Sequence, residues 1–354
     1  MFRASGQVTA CRSSAGVVGF RDDFRQLAPR TGRRGIMQRG RLALVLAAFV
    51  LSLACAGTAP LAPKAVELNR AGTEALATGD LETAEARFAL ALEYHPRFVE
   101  ALTNLGLVEM QRGNLAHARL QFERARRINP DLAQPHHALG VLAERERRPD
   151  LAAEHYREAL KVNPGFGASR ANLARVLFAA GRYHDAREQF LRLTEVDPGQ
   201  LAGRTGLVET LLQLGRVDES DVILNKALDD FGSIPELTLL LARRSIRRGA
   251  LAEAETMLLP LTSANDDNAR AAWSWIAAAR LARADVNGAL QASDQTFAFD
   301  RNDPVATYVV AMALRATKDR RALAWLERAL LLAPHNALVK EELERTRGEV
   351  KPGK

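Results

Sequence analysis

The sequence has 354 residues, two cysteines, 47% hydrophobic residues and a formal net charge of +7. The excess charge lies in residues 1–54, which hold nine arginines and two aspartates, so the 300 residues that follow carry equal numbers of basic and acidic groups. Attraction to nucleic acid needs uncompensated cations, and a disulfide or a cysteine-ligated zinc needs more than the single Cys55 found after residue 54. We therefore exclude nucleic-acid binding, a structural disulfide and a cysteine-ligated zinc site.

Residues 1–36 form a leader in which Arg, Gly and Ser are frequent. They show no sustained apolar period and no strand bounded by turns. We expect this leader to be non-native or disordered, because Met37 begins a segment, MQRGRLALVLAAFVLSLAC, that is a complete export signal by itself. The alternative is a long basic leader that is removed together with the signal. A peptide of the native protein from residues 8–30 would contradict a start at Met37.

Residues 37–54 predict a signal peptide. After a basic lead-in, thirteen uncharged residues run from Leu42 to Ala54. A transmembrane helix needs about 20 apolar residues to cross a hydrocarbon core of ~30 Å, and this run is too short for that. Its length suits the apolar region of an export signal instead.

The boundary LSLAC resembles the bacterial lipobox, in which small residues precede a cysteine that becomes lipidated. The match is partial, since that family prefers Leu at Ser52 and a small residue at Leu53. The resemblance implies lipid attachment at Cys55, followed by a short tether over residues 55–64. An ordinary signal or a buried core helix is the alternative.

From Ala65 the chain can be written in rows of 34 residues. Row two reads VEALTNLGLVEMQRGNLAHARLQFERARRINPDL and row three reads AQPHHALGVLAERERRPDLAAEHYREALKVNPGF. Rows five to eight match less well, with one extra residue at Ala269 and one missing near Lys318. The eight rows are 65–98, 99–132, 133–166, 167–200, 201–234, 235–269, 270–303 and 304–336.

Four positions that recur from row to row, here called columns, predict a pair of helices in each row. A glycine in the middle of five rows suits a turn that needs positive φ: Gly79, Gly113, Gly181, Gly215 and Gly249. A small residue five places later lets two helices approach closely: Ala84, Ala118, Ala152, Ala186, Ser220, Ala254, Ala289 and Ala322. A ring fills the remaining space in rows one to four: Phe88, Phe122, Tyr156 and Phe190. Prolines end the second helix in five rows: Pro96, Pro130, Pro164, Pro198 and Pro334.

These columns closely resemble the tetratricopeptide repeat. The resemblance implies an all-α fold, a right-handed superhelical solenoid of about eight helix-turn-helix repeats over residues 65–336. Residues 337–354 carry only a narrow apolar stripe, Val339 and Leu343, and we expect a polar capping helix and tail there.

Catalytic and metal-binding signatures are scarce. His136 and His137 are adjacent on one predicted helix and face about 100° apart, which does not suit a shared metal. The sequence contains no nucleophile elbow, phosphate-binding loop or dinucleotide fingerprint. Chaperone-binding members of the family use a carboxylate clamp, of which only Asn104 is matched in rows one to three. We therefore expect no enzymatic activity, no cofactor, no metal and no small-molecule substrate.

The remaining candidate is a partner-binding groove lined by the first helix of each row, where this family commonly binds peptides or proteins. For each residue the alternative is packing against the neighbouring repeat. Trp273 is assigned to the core, and Arg243 is placed on or near the groove. The candidate groove residues are Asn69, Asn104, Leu107, His137, Asn172, Arg175, Phe178 and Trp275.

Together the two resemblances imply a non-enzymatic, lipid-anchored scaffold in a bacterial cell envelope, with other envelope proteins or peptides as partners. Similar lipoproteins serve type IV and Flp pilus assembly and help secretin rings to form. The alternative is an adaptor or regulator of peptidoglycan or polysaccharide enzymes, and the rival class is an enzyme or a subunit whose catalysis depends on a partner. Because Ala56, and not Asp, follows Cys55, the lipobox resemblance favours the outer membrane, facing the periplasm.

Overall fold

The computed structural model describes residues 60–350, and within that range it contains seventeen α-helices and no strand. The helices are α1 Pro63–Ala77, α2 Leu81–Tyr94, α3 Val99–Gln111, α4 Leu115–Ile128, α5 Ala133–Arg145, α6 Pro149–Val162, α7 Gly167–Ala179, α8 Tyr183–Val196, α9 Leu201–Gln213, α10 Val217–Phe231, α11 Pro235–Arg247, α12 Leu251–Leu258, α13 Asp267–Ala282, α14 Val286–Phe299, α15 Pro304–Ala316, α16 Ala322–Leu332 and α17 Ala337–Val350. The all-α prediction is confirmed. The leader, the signal peptide and Cys55 lie outside the described residues.

The helices stack as a solenoid of eight consecutive pairs, with α17 packed on the last pair. Each odd-numbered helix from α1 to α15 is the first of its pair, and each second helix contacts the first helix of the next pair. First helices also contact one another along most of the stack, whereas in the described range successive second helices make no comparable contact. The side formed by the first helices is therefore the inner, concave side. We call this surface the inner groove.

The turn inside each pair requires a left-handed residue. The five glycines of the predicted turn column all have positive φ, between 71° and 83°. The three rows without this glycine place Arg147, Ala284 and Lys318 at the same point, with φ of 59°, 64° and 58°. The geometry of the turn is thus kept in all eight pairs, and in three of them a residue with a Cβ adopts a backbone conformation that costs free energy.

The core repeats with the period of the sequence. The small residues of the Ala column are buried in all eight rows, and the rings of Phe88, Phe122 and Tyr156 are fully buried. Each ring lies over a glycine of its own first helix, so that a Cβ added at Gly72 would lie only 2.6 Å from the Phe88 ring. The sequence analysis did not identify this glycine column, Gly72, Gly106 and Gly140.

Row four departs from this arrangement because Ala174 stands where the other three rows have glycine. The methyl group of Ala174 leaves no room for the ring, and Phe190 packs instead on Gly206 in the first helix of the next row. In rows one to three the aromatic ring therefore packs on a glycine of its own row. In row four the ring packs on a glycine of the next row, so this contact links two rows.

Two helix boundaries differ from the sequence prediction. Helix α1 begins at Pro63, inside the predicted tether, because proline at the first helical turn needs no hydrogen-bond acceptor for its nitrogen. Helix α13 begins at Asp267, three residues before the predicted start of row seven, because the Asp266 side chain accepts a hydrogen bond from the Ala269 N–H at 2.9 Å. Before it, α12 ends after eight residues and a 3₁₀ turn, Leu259–Ser263, follows.

The two ends of the stack differ from its middle. On α17 only a narrow stripe is buried, and it includes Val339 and Leu343 at 2% exposure each, as the sequence predicts. The solenoid also curves enough to bring distant rows together, since the turn at Gly181 in row four lies against His335 at the end of row eight. Among residues 60–350, none of the helices combines the length and the hydropathy of a membrane-spanning segment.

Candidate partner-binding groove

The first part of the inner groove, in rows one and two, is lined by amide side chains. Asn104 on α3 donates through Nδ2 to Oδ1 of Asn69 on α1 at 3.0 Å, and the same nitrogen lies 3.4 Å from the Thr73 hydroxyl. Both asparagines are half-buried. This pairing joins two rows, so the amide hydrogens of Asn104 are partly used within the protein. Leu107, on the same helix as Asn104, packs against the core that includes Met110 and Phe122.

Rows three and four contain a polar cluster that joins three helices. The Tyr156 hydroxyl donates to Oε1 of Glu144 at 2.6 Å and accepts from Nδ2 of Asn172 at 3.3 Å. Arg175 forms an ion pair with the other oxygen of Glu144. Burial, and then the hydrogen bond to the Glu144 carboxylate, raise the pKa of Tyr156 well above its usual range. The hydroxyl therefore remains a neutral donor.

His137 lies beside this cluster and is half-buried. Its Nδ1 is 2.9 Å from the Ser169 hydroxyl, and its ring centroid is 5.6 Å from that of Tyr156 and 5.3 Å from that of Phe166. Burial lowers the pKa of His137, and the charge of Glu144 opposes this only in part. The imidazole is therefore held neutral between two rings and a hydroxyl.

His136 and Phe178 contact other parts of rows three and four. The buried His136 places Nε2 3.3 Å from the carbonyl of Pro130, so the two adjacent histidines do point apart. Phe178 packs edge-on against Tyr183 with centroids 5.3 Å apart and contributes to the core of rows three and four. Phe178 therefore has a packing role whether or not a partner also contacts it.

Rows five to eight form an open pocket of about 560 Å³ on the inner groove. Trp275 lies in its wall, half-buried, and the guanidinium of Arg243 stacks 4.7 Å from the centroid of the indole ring. Arg243 also donates to Oε1 of Glu209 at 2.6 Å. Arg270 forms an ion pair with Asp303, which is only 2% exposed. The pocket thus combines one large aromatic surface with paired charges of both signs.

The structure brings together some of the predicted groove residues and separates others. Asn69 contacts Asn104, and Asn172 shares the Tyr156 and Glu144 cluster with Arg175, while Trp275 lies in a separate pocket. The sequence analysis missed Glu144 and the hydroxyl of Tyr156. The sequence does contain a sign of this cluster, because row three alone has Tyr where rows one, two and four have Phe.

The groove offers contacts suited to peptide or protein recognition. Rows one to four present amide, imidazole, carboxylate and guanidinium groups, and rows five to eight present the Trp275 pocket with its paired charges. Between residues 60 and 350, no three His, Cys, Asp or Glu side chains are close enough together to hold a metal ion. The arrangement can therefore bind extended chains by hydrogen bonds and apolar contact.

Comparison with known proteins agrees with the helical architecture. Two models described as tetratricopeptide repeat match residues 69–133 and 143–203. No curated protein matches the sequence.

Solved structures share the fold at low sequence identity. A tetratricopeptide repeat protein from Parabacteroides merdae superposes with a TM-score of 0.55 at 18% identity, covering 72% of this chain and all of that one. The anaphase-promoting complex assembly Cut9-Hcn1 gives 0.53 at 17% identity and covers 77% of this chain, but this chain spans only 54% of its length. PilW, a type IV pilus biogenesis factor, gives 0.52 at 18% identity, with 59% and 98% covered. The repeat models, the eight helix pairs and these shared folds agree: residues 69–133 and 143–203 match tetratricopeptide repeats, and the described residues form a solenoid of that type.

Proposed function

We propose that this protein is a scaffold that binds partner proteins along its inner groove, with the Trp275 pocket as the main anchoring site. Tetratricopeptide repeats mediate protein–protein interactions, and their solenoids typically act as scaffolds and not as enzymes. The observation that carries the proposal is the partly buried indole of Trp275 in the wall of an open pocket of about 560 Å³. Trp and Arg are enriched among the residues that dominate binding energy at protein interfaces.

The geometry of the pocket favours a partner with both an apolar and a polar contact. The Arg243 guanidinium already stacks on one side of the Trp275 ring and is held by Glu209. A partner side chain that covers the remaining face of the indole would exclude water from it, which strengthens the nearby charge interactions. We therefore expect the partner to insert an apolar side chain against the Trp275 ring. Polar groups of the partner on either side of it would form hydrogen bonds to the paired charges of the pocket.

Lipid attachment and envelope location are the second part of the proposal. The support is the signal-like segment at residues 37–54 and the LSLAC boundary before Cys55. Acyl chains contribute ~0.8 kcal/mol for each buried CH₂, so two or more chains would hold the protein at a membrane. We place it in the outer membrane, facing the periplasm.

Assembly of an envelope complex such as a type IV or Flp pilus or a secretin is the finer proposal. Its support is the lipobox resemblance together with the fold that the chain shares with PilW. The alternative, an adaptor for peptidoglycan or polysaccharide enzymes, predicts different proteins in the same experiment. Crosslinked partners recovered from solubilised envelopes would be secretin or pilus subunits in the first case, and cell-wall enzymes in the second.

The binding site is tested with a matched pair of tryptophans. Trp275→Ala should weaken partner retention by more than ~2 kcal/mol, about 30-fold, and should also lower the melting temperature, because the indole packs on the same core as Trp273. Trp273→Ala removes the same side chain two residues away, outside the pocket lining, and should mainly lower the melting temperature. Equal partner retention by both variants and the wild type would refute Trp275 as the anchor.

The anchor is tested separately. Cys55→Ala should abolish labelling by an alkynyl fatty acid and prevent normal processing before residue 55. Unchanged labelling and processing would contradict lipidation, and the groove proposal would stand or fall independently.

A further inference from the structure

A second cleft lies on the outer face of the solenoid, between the second helices of rows three and four. We call it the outer cleft. Helices α6 and α8 form its two walls and α7 forms its floor, and its volume is about 490 Å³. The lining residues are Arg157, Leu160, Lys161, Pro164, Arg170, Leu173, Leu177, Arg182, Asp185, Glu188, Gln189 and Arg192. The cleft faces away from the inner groove and is independent of the partner site proposed above.

The floor of the outer cleft carries a buried cation without a carboxylate. Arg170 is 6% exposed, and it donates to Oε1 of Gln189 at 3.1 Å and to the carbonyl of Pro164. Its Nε is buried without a hydrogen-bond acceptor, and among the described residues no carboxylate lies within ion-pair distance of the guanidinium. Burial, and then the charge of Arg192, lower the pKa of Arg170, while Glu195 and Glu188 oppose this. A buried charge of this kind is costly unless an anion pairs with it.

Row five shows how the same position is satisfied elsewhere in the chain. Arg204 occupies the column of Arg170 one period later, is also 6% exposed and donates to the carbonyl of Pro198 at 3.0 Å. Unlike Arg170, it forms an ion pair with Oδ2 of Asp230 at 2.5 Å. The residue of row four that corresponds to Asp230 is Val196. Row four therefore lacks the carboxylate that row five supplies internally.

The rest of the outer cleft is also positive. Five cationic residues and two acidic residues line it, and one of the cations, Lys161, pairs with Glu158 at 2.6 Å, so the local excess is two positive charges. Both acids are already paired, Asp185 with Arg182 at 2.5 Å and Glu188 with Arg192 at 2.6 Å. Because each of these pairs is roughly half-exposed, the charges stay near the cleft entrance and contribute little to stability by themselves. The buried Arg170 is left as the group that most needs an external anion.

We propose that the outer cleft binds an acidic segment of a partner protein, with a carboxylate of that segment seated on Arg170. The guanidinium has five N–H donors in a planar fork that matches a carboxylate, and the structure uses only part of them. The apolar floor of Leu173 and Leu177 beside the buried guanidinium fits a chain in which acidic and apolar residues alternate. The positive rim complements the charge of such a segment.

The test uses the purified full-length chain and two fluorescent peptides. In one, Glu and Leu alternate, and in the other Gln replaces every Glu. The wild type should bind the Glu peptide at least tenfold more tightly than the Gln peptide. Val196→Asp, which installs in row four the carboxylate that row five has, should reduce affinity for the Glu peptide at least tenfold and raise the melting temperature. Arg170→Met should give the same loss of affinity.

Val222→Asp is the matched control, since Val222 is 69% exposed on α10 and does not line the outer cleft. It should leave affinity within about twofold of the wild type. The proposal is overturned if Val196→Asp binds the Glu peptide as the wild type does, or if Val196→Asp and Val222→Asp weaken binding equally. Binding of inorganic phosphate that depends on Arg170, without binding of the Glu peptide, would also overturn it, because the site would then be one for a free anion. If Arg170→Met does not fold, the surface change at Val196 decides alone.

Discussion

The turns inside the helix pairs allow a direct test of how backbone strain is distributed along the solenoid. Five of the eight turns have glycine in a left-handed conformation, and Arg147, Ala284 and Lys318 adopt the same conformation with a Cβ. None of these three side chains forms a hydrogen bond or an ion pair among the described residues. Replacing each by glycine should therefore stabilise the protein, because it removes strain without removing a contact.

The expected change in the free energy of unfolding follows from two opposing effects. A left-handed conformation costs a residue with a Cβ about 1–2 kcal/mol. Glycine loses more conformational entropy on folding, and this costs about 0.4–1 kcal/mol compared with alanine. The net gain should be about 0.5–1 kcal/mol for Ala284→Gly. The three sites are far apart in the chain, so the triple variant should gain about 2 kcal/mol.

The reverse change supplies the control. Gly113 has φ of 83°, and a Cβ added there would meet nothing within 4 Å, so Gly113→Ala measures the backbone term without a steric clash. We expect a loss of about 0.5–1 kcal/mol for this variant. Thermal and urea unfolding followed by circular dichroism give the midpoints, at roughly 2–4 °C for each kcal/mol in a chain of this size. If Ala284→Gly lowers the midpoint as Gly113→Ala does, the strain argument is wrong.

Three further predictions concern packing, pH and local stability. Gly72→Ala should cost about 1–3 kcal/mol in urea unfolding, more than Gly113→Ala, because the new methyl group meets the Phe88 ring; equal losses would argue against the close approach. Since burial places the pKa of His137 below its ordinary value of 6.5, its contribution to stability is present above about pH 6.5 and is lost as pH falls toward the lowered pKa. His137→Gln should therefore make the urea midpoint less sensitive to a change from pH 7.5 to 5.5. Amide hydrogen exchange should be fastest in rows five to seven, where α12 has only eight residues and the prolines are missing; slowest exchange in those rows would contradict a graded solenoid.

Much of the architecture could be predicted because the signals are local and repeat. A period of 34 residues places glycine in a turn, alanine between helices and a ring in the core, and each repeat needs only its neighbours to fold. The positive φ of Gly79 and the burial of Ala84 and Phe88 follow this pattern. The missed glycine column was also local, but Gly72 reads as a helix-weakening residue until the Phe88 ring is placed over it.

The sequence also determined which residues lie near the inner groove, but not which of them are available to a partner. Asn104 and Asn172 were placed on this face by helical spacing, whereas their bonds to Asn69 and Tyr156 depend on how the rows stack. Trp275 lies in row seven and the cluster around Glu144 in rows three and four, so their separation follows from the linear order of the rows.

The Trp275 pocket and the outer cleft differ in how much of each site the sequence alone could predict. Periodicity identified Trp275 as a residue on the groove side, and the tertiary structure added the stacked Arg243 and the pocket around them. Nothing in the periodicity singled out Arg170, because its lack of a carboxylate becomes visible only when rows four and five are superposed and Asp230 is found opposite Arg204. The sequence determined the repeat because one row encodes its own helices and turn. Which charges are paired depends on how the rows stack, because an ion pair between rows requires distances that no single row contains.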